Sequence, residues 1–406
     1  MRLIMIAVLM GVASQSALAQ EIVLRHALGG AALDALTVLT TRFNNEQKGH
    51  GTVVLENLAN VTERQMLPHL ALLDDDDARE FFDSLPRYKT MSSVMKESGQ
   101  SFNASVFLPQ IADAVDDLRG QPQALPMALA LPVLFYNKEA FSKAGLDPAV
   151  APRTWQEVQD KAGALADAGY GCPLTTSRFA WVHLENLSSQ HGEPATLKGG
   201  RVSFNDLVHV KHLARLASWQ KSRYFVYFGP GREGDAKFLH GECAMLTGES
   251  ALHGELRAAA FPVGVAALPY YEDVRGAQPG NVLPDGASLR ALPGKKKNEY
   301  QVAARFVAFL MRPQVQRDWV RATGFLPMTA VALDELAAAG VSPAVINAAR
   351  ARLSAPKKAD ARMRSGFARN RIRAILSEEV EYVWKNTKPA KEALDTAMTR
   401  ANAEAR

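Results

Sequence analysis

The chain has 406 residues, 47% of them hydrophobic, and 47 Lys and Arg against 42 Asp and Glu give a formal net charge of +5. This length is too great for one hydrophobic core and predicts two lobes that fold without a metal or several disulfides. No nucleic-acid motif with interleaved aromatic residues is present, so we expect no nucleic-acid partner. The excess of basic residues lies mostly between residues 350 and 373. These residues form either a solvated helical face or a surface that faces an anionic ligand or a transporter.

The first 19 residues have the pattern of a secretory signal peptide. Arg2 precedes an apolar stretch at 3–12 that is too short to span a bilayer, and the sequence SALA at 16–19 supplies a cleavage site before Gln20. A buried N-terminal helix is the alternative. We expect an exported protein that is cleaved after Ala19 and has no later membrane span.

Alternating strands and helices follow along the chain. Residues 21–26 read as a strand, the next helix carries Leu33, Leu36, Leu39 and Phe43 on one face, and 52–55 read as a second strand. Later helices begin near residue 299 and cover 372–384 with apolar residues at helical spacing. This alternation predicts α/β lobes with largely parallel sheets.

Neither the acidic run nor the histidines predict a metal site. Residues 74–77 are four consecutive aspartates, which lack the spacing, the turn glycine and the distant acid of a calcium loop, so we expect a solvated loop. His183, His191, His240 and His253 are scattered, and histidines near single carboxylates are commonly surface residues. We therefore expect no metal and no cofactor.

The two cysteines, Cys172 and Cys243, permit one intramolecular disulfide. An oxidising compartment favours the bridge, and two buried free thiols are the alternative. Because neither belongs to a Cys-x-x-Cys pair, a metal role is disfavoured.

The segment 131–155, LPVLFYNKEAFSKAGLDPAVAPRTW, predicts a strand followed by two helices. The apolar run 131–136 has the length of a buried strand, Asn137 is suited to cap the helix after it, and Gly145 is suited to end that helix. Thr154 and Glu157 form a capping box that opens the second helix.

This crossover resembles that of solute-binding proteins of sugar-type ABC importers, and its wording is most similar to their glycerol-3-phosphate-binding branch. The resemblance covers most of the chain after the leader and is weakest at 61–88. It recurs in the sequences WVHLEN at 181–186, GECAM at 241–245, GASL at 286–289, TGFLPMT at 323–329 and IR at 372–373 with EEVEYVW at 378–384.

The resemblance implies a two-lobe α/β periplasmic binding protein of type II, with a hinge and an interlobe ligand cleft. Lobe one would comprise 20–130 and 288–330, and lobe two 131–287 and 331–406 with a mostly helical C-terminus. The implied protein is a periplasmic monomer that closes on a small polar solute and then docks on the transmembrane subunits of an ABC permease. Glycerol-3-phosphate-like solutes, glycerophosphodiesters and sugars are the solute classes.

Three residues match ligand-binding positions of the family by this resemblance. Arg373 matches the arginine placed on the phosphate, Gly286 a glycine whose bare backbone lets the ligand approach, and Trp181 a flat apolar wall for sugar or glycerol carbons. A surface ion pair, a turn glycine and a core tryptophan are the respective alternatives.

Other family positions are changed here. Phe325 stands at a binding tyrosine, Ala130 and Glu249 stand at two binding serines, and Ser250 adjoins the second of these. Because hydroxyl donors are lost and a carboxylate is gained, we expect a solute other than free glycerol-3-phosphate, with Glu249 facing its cationic or polyhydroxylated part. The alternative is that Glu249 turns outward and caps a helix near Ser250.

Two other function classes were weighed against binding. An enzyme is disfavoured because the sequence GESAL at 248–252 lacks the second glycine of a nucleophile elbow, and no HExxH or phosphate loop is present. A sensory or adaptor protein of the same fold, with altered or lost ligand binding, stays open.

Overall fold

The computed structural model describes residues 20–47, 49–61, 67–74, 88–115, 122–197, 201–341, 343–353 and 367–404. The predicted signal peptide and most of the weakly matching segment 61–88 lie outside these ranges. None of the helices within them is long and apolar enough to cross a membrane.

The described strands form two sheets. The first sheet has five strands in the order β2-β1-β3-β9-β4, and the second has four in the order β6-β7-β5-β8. The strands are β1 (Glu21–His26), β2 (Thr52–Asn57), β3 (Leu70–Leu73), β4 (Leu125–Ala130), β5 (Pro132–Asn137), β6 (Leu174–Thr176), β7 (Met245–Glu249), β8 (Val263–Ala267) and β9 (Asp285–Ala291).

Both sheets are mixed, so the prediction of largely parallel sheets is wrong. β1 pairs in parallel with β2 and β3, and β6 pairs in parallel with β7. β9 returns antiparallel between β3 and β4, and β5 runs antiparallel to both β7 and β8. The antiparallel strands are those that carry the chain between the two sheets, and local patterning does not encode their direction.

Helices surround both sheets. They are α1 (Gly30–Gln47), α2 (Met91–Glu97), α3 (Pro109–Val115), α4 (Lys138–Lys143), α5 (Trp155–Asp167), α6 (Asn186–His191), α7 (Leu207–Lys221), α8 (Glu233–Leu239), α9 (Lys297–Leu310), α10 (Pro313–Thr323), α11 (Glu335–Ala338), α12 (Pro343–Leu353), α13 (Phe367–Trp384) and α14 (Ala390–Glu404). A π-helical turn (Ala180–Glu185) precedes α6, and short 3-10 helices occupy Leu58–Asn60, Ala104–Val106, Ser250–Ala258 and Ala330–Ala332.

Most of the local signals of the crossover segment are confirmed. The Asn137 side chain accepts from the backbone N–H groups of Glu139 and Ala140 at 2.9 and 3.0 Å, which caps α4. Gly145 follows α4 with φ +72°. Thr154 accepts from the N–H of Glu157 at 3.1 Å at the start of α5, but the Glu157 carboxylate accepts from the N–H of Arg153 instead of that of Thr154, so only half of the predicted capping box forms. These caps act within a few residues, so the sequence alone specifies them.

The chain passes between the sheets at Leu131, the residue that separates β4 from β5. Ser250 holds this point from both sides, because its N–H donates to the Leu131 carbonyl at 2.7 Å and its hydroxyl accepts from the Leu131 N–H at 3.0 Å. A second passage is β9, whose first residue, Asp285, pairs with Ala130. The hinge therefore consists of paired strands.

There are two large apolar cores: the first lies under the first sheet and extends to Phe135 and Leu246 of the second sheet, and the other packs on the second sheet. Helix α9 packs Val302, Phe306 and Phe309 under the first sheet, and α13 packs Ile375 and Val380 into the second core. Helices α11 and α12 contribute to the first core, with Leu336, Val345, Ile346, Ala349 and Leu353. The residue boundaries of the two lobes remain a prediction.

Cys172 and Cys243 form a disulfide across 71 residues. Cys172 lies just before β6 and Cys243 just before β7, so the bridge joins the starts of two adjacent parallel strands. The disulfide therefore cross-links β6 and β7 at the end of the sheet opposite Thr176 and Glu249.

Candidate functional site

A cavity of about 670 Å³ lies between elements of the second lobe and the loop that follows β3 of the first sheet. A smaller cavity of about 70 Å³ adjoins it, since Asp74 and Arg232 line both. The larger cavity is lined by Asp74, Arg178, Ala180, Trp181, Pro230, Gly231, Arg232, Glu233, Arg373, Ala374, Ser377, Glu378 and Glu381. Its walls therefore combine one indole with charged side chains of both signs.

Seven charged side chains form a continuous chain of ion pairs beside these cavities. In the order in which they contact one another, the members of this ion-pair chain are Glu185, Arg373, Asp285, Arg178, Glu249, Arg232 and Asp74. Charges alternate, so each arginine lies between two carboxylates. Six of the seven side chains are at most 7% exposed, and Arg232 is 53% exposed. Buried charges persist only when they are paired in this way.

Arg373, from α13, is a buried arginine that lies between Glu185 and Asp285 in the ion-pair chain. Its Nε and Nη2 donate to the two carboxylate oxygens of Glu185, the latter at 2.9 Å, and its Nη1 donates to Asp285 at 2.6 Å. This two-pronged arrangement fixes the plane of the guanidinium. The predicted phosphate-binding arginine thus borders the cleft, but its guanidinium N–H groups point at carboxylates of the protein itself.

Arg178 is the central arginine, and sequence reasoning missed it. Its Nη1 donates to Glu249 at 3.1 Å and its Nη2 to Asp285 at 2.8 Å, while the guanidinium lies 4.8 Å from the ring of Trp181. Its backbone has φ +51°, a left-handed conformation that side-chain-bearing residues rarely adopt. The surrounding carboxylates hold the residue in this costly conformation.

Arg232 connects the two lobes at the cavity mouth. Its Nη2 lies 3.3 Å from Asp74, which follows β3 of the first sheet, and 3.1 Å from Glu249, at the end of β7 of the second. Asp74 is 4% exposed, so the prediction that the aspartate run is a solvated loop is wrong for its first member. The other three aspartates lie outside the described residues.

Electrostatics keep the central arginine of the ion-pair chain ionised. Burial opposes the charged form of Arg178, but Asp285, Asp74 and Glu249 outweigh it and raise the arginine's pKa. Behind the chain, burial and the negative charge of Glu249 raise the pKa of Asp235 to about 7, although Ser177 donates to its carboxylate at 2.5 Å. The pKa of the Asp235 carboxyl therefore lies near neutral pH.

The predicted ligand-binding residues divide between the two cavities. Trp181 and Arg373 line the larger one, and Glu249 and Phe325 line the smaller one. The Trp181 indole is 1% exposed and donates to the Leu283 carbonyl at 3.1 Å, and Phe325 stacks on Trp319 at 5.8 Å. Glu249 is only 6% exposed, and its side chain makes no capping bond to the helix that it precedes.

Gly286 and Ser250 have structural explanations in the hinge. Gly286 has φ +139°, and a Cβ there would lie 2.3 Å from the Ala128 carbonyl oxygen, so neighbouring β4 demands glycine. Ser250 bonds Leu131, and Ala130 sits in β4 opposite Asp285. Direct contact of Gly286 and Ser250 with a ligand remains a prediction.

Five members of the ion-pair chain were not predicted as site residues. They are Asp74, Arg178, Glu185, Arg232 and Asp285. Glu185 and Asp285 lie inside or next to motifs that the sequence analysis quoted, so their position beside Trp181 and Gly286 was an available signal. Arg178 and Arg232 carried no local signal, because their partners lie far away in sequence.

Comparison with known proteins places this architecture in a family. Residues 47–349 match the model of the bacterial extracellular solute-binding proteins. The sn-glycerol-3-phosphate-binding periplasmic protein UgpB of Salmonella typhimurium is 37% identical over 327 residues, which cover 77% of this chain and 74% of that protein. The chain belongs to this family.

A second relative, UgpB of Escherichia coli K12, is 36% identical over the same share of both chains. Among solved structures, UgpB from Mycobacterium tuberculosis in complex with glycerophosphocholine superimposes with a TM-score of 0.75 at 19% identity, covering 95% of this chain and 98% of that one. That likeness supports the fold. The predicted two-lobe binding-protein fold is confirmed, and the protein is the substrate-binding subunit of an ABC importer, not an enzyme.

Proposed function

We propose that the protein is exported by cleavage after Ala19 and acts as a periplasmic monomer that delivers its solute to an ABC permease. The solute we propose is a polyhydroxylated compound related to glycerol-3-phosphate, either a glycerophosphodiester or a carbohydrate, rather than free glycerol-3-phosphate. Its binding surface would include Trp181, Arg373 and Glu249 from the sequence prediction, together with Arg178 and Arg232.

The alternating ion pairs are the observation that carries this proposal. Three arginines lie among four carboxylates, so the chain of pairs has a formal charge of −1. A free phosphate monoester carries about −1.5 to −2 charges at neutral pH and would meet a carboxylate beside every arginine. A phosphodiester carries one negative charge and a sugar none, so both are repelled less.

Hydroxyl groups suit such a surface. Arginines only donate hydrogen bonds and ionised carboxylates only accept them, whereas each hydroxyl of a polyol does both. Adjacent hydroxyls can therefore bond an arginine and its neighbouring carboxylate without breaking the pair. The Trp181 ring and the Arg178 guanidinium 4.8 Å from it supply a flat wall for the carbon skeleton.

The cavity size favours a solute larger than glycerol-3-phosphate. A cavity of about 670 Å³ falls within the range of roughly 300–1,000 Å³ that holds drug-sized ligands. A disaccharide or a glycerophosphodiester would fill more of it than a three-carbon phosphate and would reach both walls. Larger contact with both lobes would favour the closed form that docks on the permease.

The proposal is tested with the mature protein, from Gln20 onward, in a thermal-shift screen with calorimetric follow-up. The panel contains glycerol-3-phosphate, glycerophosphocholine, glycerophosphoethanolamine, maltose and other disaccharides. A ligand at 100 times its Kd should stabilise the fold by about 2.7 kcal/mol, which a melting curve detects. Trp181→Ala should abolish binding of the hit, and Lys391→Gln, at an exposed pair on α14, is the matched control.

Each outcome of this screen has a definite meaning. Binding of a glycerophosphodiester or a disaccharide without binding of glycerol-3-phosphate supports the proposal. Tight binding of glycerol-3-phosphate overturns the proposed solute class, and failure of every solute points to a sugar outside the panel or to an adaptor role.

A further inference from the structure

The two oxygens of Glu249 are held by two different arginines at the cavity surface. Oε2 accepts from Arg178 at 3.1 Å, and Oε1 lies 3.1 Å from Nη2 of Arg232. Arg178 comes from the turn before the π-helical segment and Arg232 from the loop before α8. Two separate elements thus aim guanidinium groups at a single anionic group.

Glu249 is a buried carboxylate at the edge of the smaller cavity. The carboxylate is 6% exposed and borders the smaller cavity, whose other lining includes Ala128, Ala287 and Phe325. The remaining charged residues there are Asp74, Arg232 and the exposed Glu255. The arginine donors near Glu249 therefore meet a carboxylate of the protein at the wall of the smaller cavity, which adjoins the larger one.

We infer that Glu249 is a built-in anion, a specificity-determining residue that occupies the anion-binding position of the cleft and thereby excludes phosphate monoesters. The inference rests on the proposed function, because it assumes that the solute occupies this cleft. It assigns Glu249 a different task from direct contact with a cation, since both of its oxygens are already engaged by arginines.

Removal of this carboxylate should leave a prepared anion site. Arg178 would still be held by Asp285 at 2.8 Å, and Arg232 by Asp74 at 3.3 Å, so both guanidinium groups would stay in position. Arg232 is 53% exposed and gives an incoming anion a route to the pair. Two positioned arginines are the donor set that phosphate oxygens favour.

Glu185 does not offer the same opportunity. Both of its oxygens are held by the single guanidinium of Arg373, and both side chains are 5% exposed. Its removal would expose one deeply buried arginine that still faces Asp285. Glu249 is therefore the position at which one substitution changes the charge preference of the cleft.

The test compares wild type, Glu249→Gln and Glu249→Ser, with inorganic phosphate and then glycerol-3-phosphate as probes. We expect both variants to bind phosphate at least tenfold more tightly than wild type by calorimetry, and phosphate to raise their melting temperature but not that of wild type. The affinity should fall with added salt, as expected for an arginine-held anion. Glu249→Asp, which keeps the carboxylate, should show no gain.

Two controls separate this mechanism from a general charge effect. Glu233→Gln removes a carboxylate that lines the larger cavity but belongs to none of the ion pairs of the described residues, and it should not gain phosphate binding. Adding Arg232→Gln to Glu249→Gln should abolish the gain. An equal gain in Glu233→Gln, or no gain in folded Glu249→Gln and Glu249→Ser, overturns the inference.

Failure of the inference is distinguishable from failure of the proposed function. If wild type binds no member of the solute panel while Glu249→Ser binds phosphate, the built-in anion stands and the transport role is lost. If wild type binds glycerol-3-phosphate tightly with Glu249 in place, the inference fails and an importer role survives.

Discussion

The second lobe contains two buried polar networks that meet on the same two strands but differ in charge. The first is the ion-pair chain of the cleft. Its members Arg178 and Glu249 lie just after β6 and at the end of β7 in the second lobe. The second is a histidine network behind it, in which His183 contacts His212 at 2.9 Å and the hydroxyls of Thr176 and Thr247 at 3.0 and 2.8 Å. Thr176 and Thr247 each lie two residues from Arg178 and Glu249, respectively.

Partner chemistry explains the difference. Each charged group of the cleft faces the opposite charge, whereas the ring nitrogens of His183 face hydroxyls and another imidazole. Burial consequently lowers the pKa of His183 to about 3, and burial followed by the neighbouring histidines lowers that of His212 well below its ordinary value. The second sheet therefore carries a charged network beside the cavities and a neutral network around His183.

Removal of the central arginine should have the largest effect on this contrast. Arg178→Met leaves Glu249 and Asp285 buried with one arginine each, and loss of one partner from a buried pair costs about 3–5 kcal/mol. Urea unfolding monitored by Trp fluorescence measures the change. Adding Glu249→Gln should recover part of the loss, and a loss below about 1 kcal/mol would mean that the network is not a stabilising unit.

Removal of the disulfide measures how much the covalent link between β6 and β7, the strands next to both networks, stabilises the fold. Replacement of Cys172 and Cys243 by serine reopens a loop of 71 residues, which should reduce the free energy of unfolding by about 4 kcal/mol in the chain-entropy model. Thermal unfolding with and without a reductant measures this cost. The reductant should not change the melting temperature of the double-serine variant. If the reductant also left the melting temperature of wild type unchanged, the prediction would be contradicted.

Acid should weaken the neutral network selectively. The pKa of His183 is about 3 in the folded state against 6.5, so the unfolded chain binds more protons between these values and stability falls as pH decreases below 6.5. Between pH 6.5 and 5 this histidine should account for about 2 kcal/mol, because one unit of pKa corresponds to about 1.4 kcal/mol.

The measurement is the free energy of unfolding of wild type and His183→Gln from pH 7 to 5, in which the variant should have the flatter dependence. Asp235, whose raised pKa acts in the opposite direction below pH 7, is common to both proteins. The exposed His240 provides the control, His240→Gln. Parallel pH curves for wild type and His183→Gln would refute the assignment.

The pair that buried Asp74 forms with the exposed Arg232, at one end of the ion-pair chain, should contribute least. Asp74→Asn removes a contact of 3.3 Å to a side chain that is 53% exposed, and such pairs contribute about 1 kcal/mol or less. Chemical unfolding at low and high salt should show a small loss that salt removes. A salt-independent loss as large as that of Arg178→Met would place this end of the chain in the same class as its buried centre.

Sequence reasoning succeeded where the physical cause is local or patterned. β1 occupies Glu21–His26 as predicted, the Asn137 cap and the Gly145 stop lie where their chemistry indicates, and α13 carries its apolar residues at helical spacing. Resemblance over long motifs identified the binding-protein fold and the class of function. These features require only short-range hydrogen bonds or a repeated pattern of apolar residues.

The chemistry of the cleft depended on the tertiary structure. Arg178 meets Glu249 and Asp285 across 71 and 107 residues, and no local pattern encodes such contacts. His183 and Asp74 were predicted at the surface, yet they are 1% and 4% exposed, because burial depends on what packs over a residue rather than on its neighbours in sequence. Local sequence signals specified individual strands, helices and caps, and the longer motifs identified the family. Only the folded chain decided which charges meet, since ion pairing requires a distance of a few ångströms that chain connectivity does not specify.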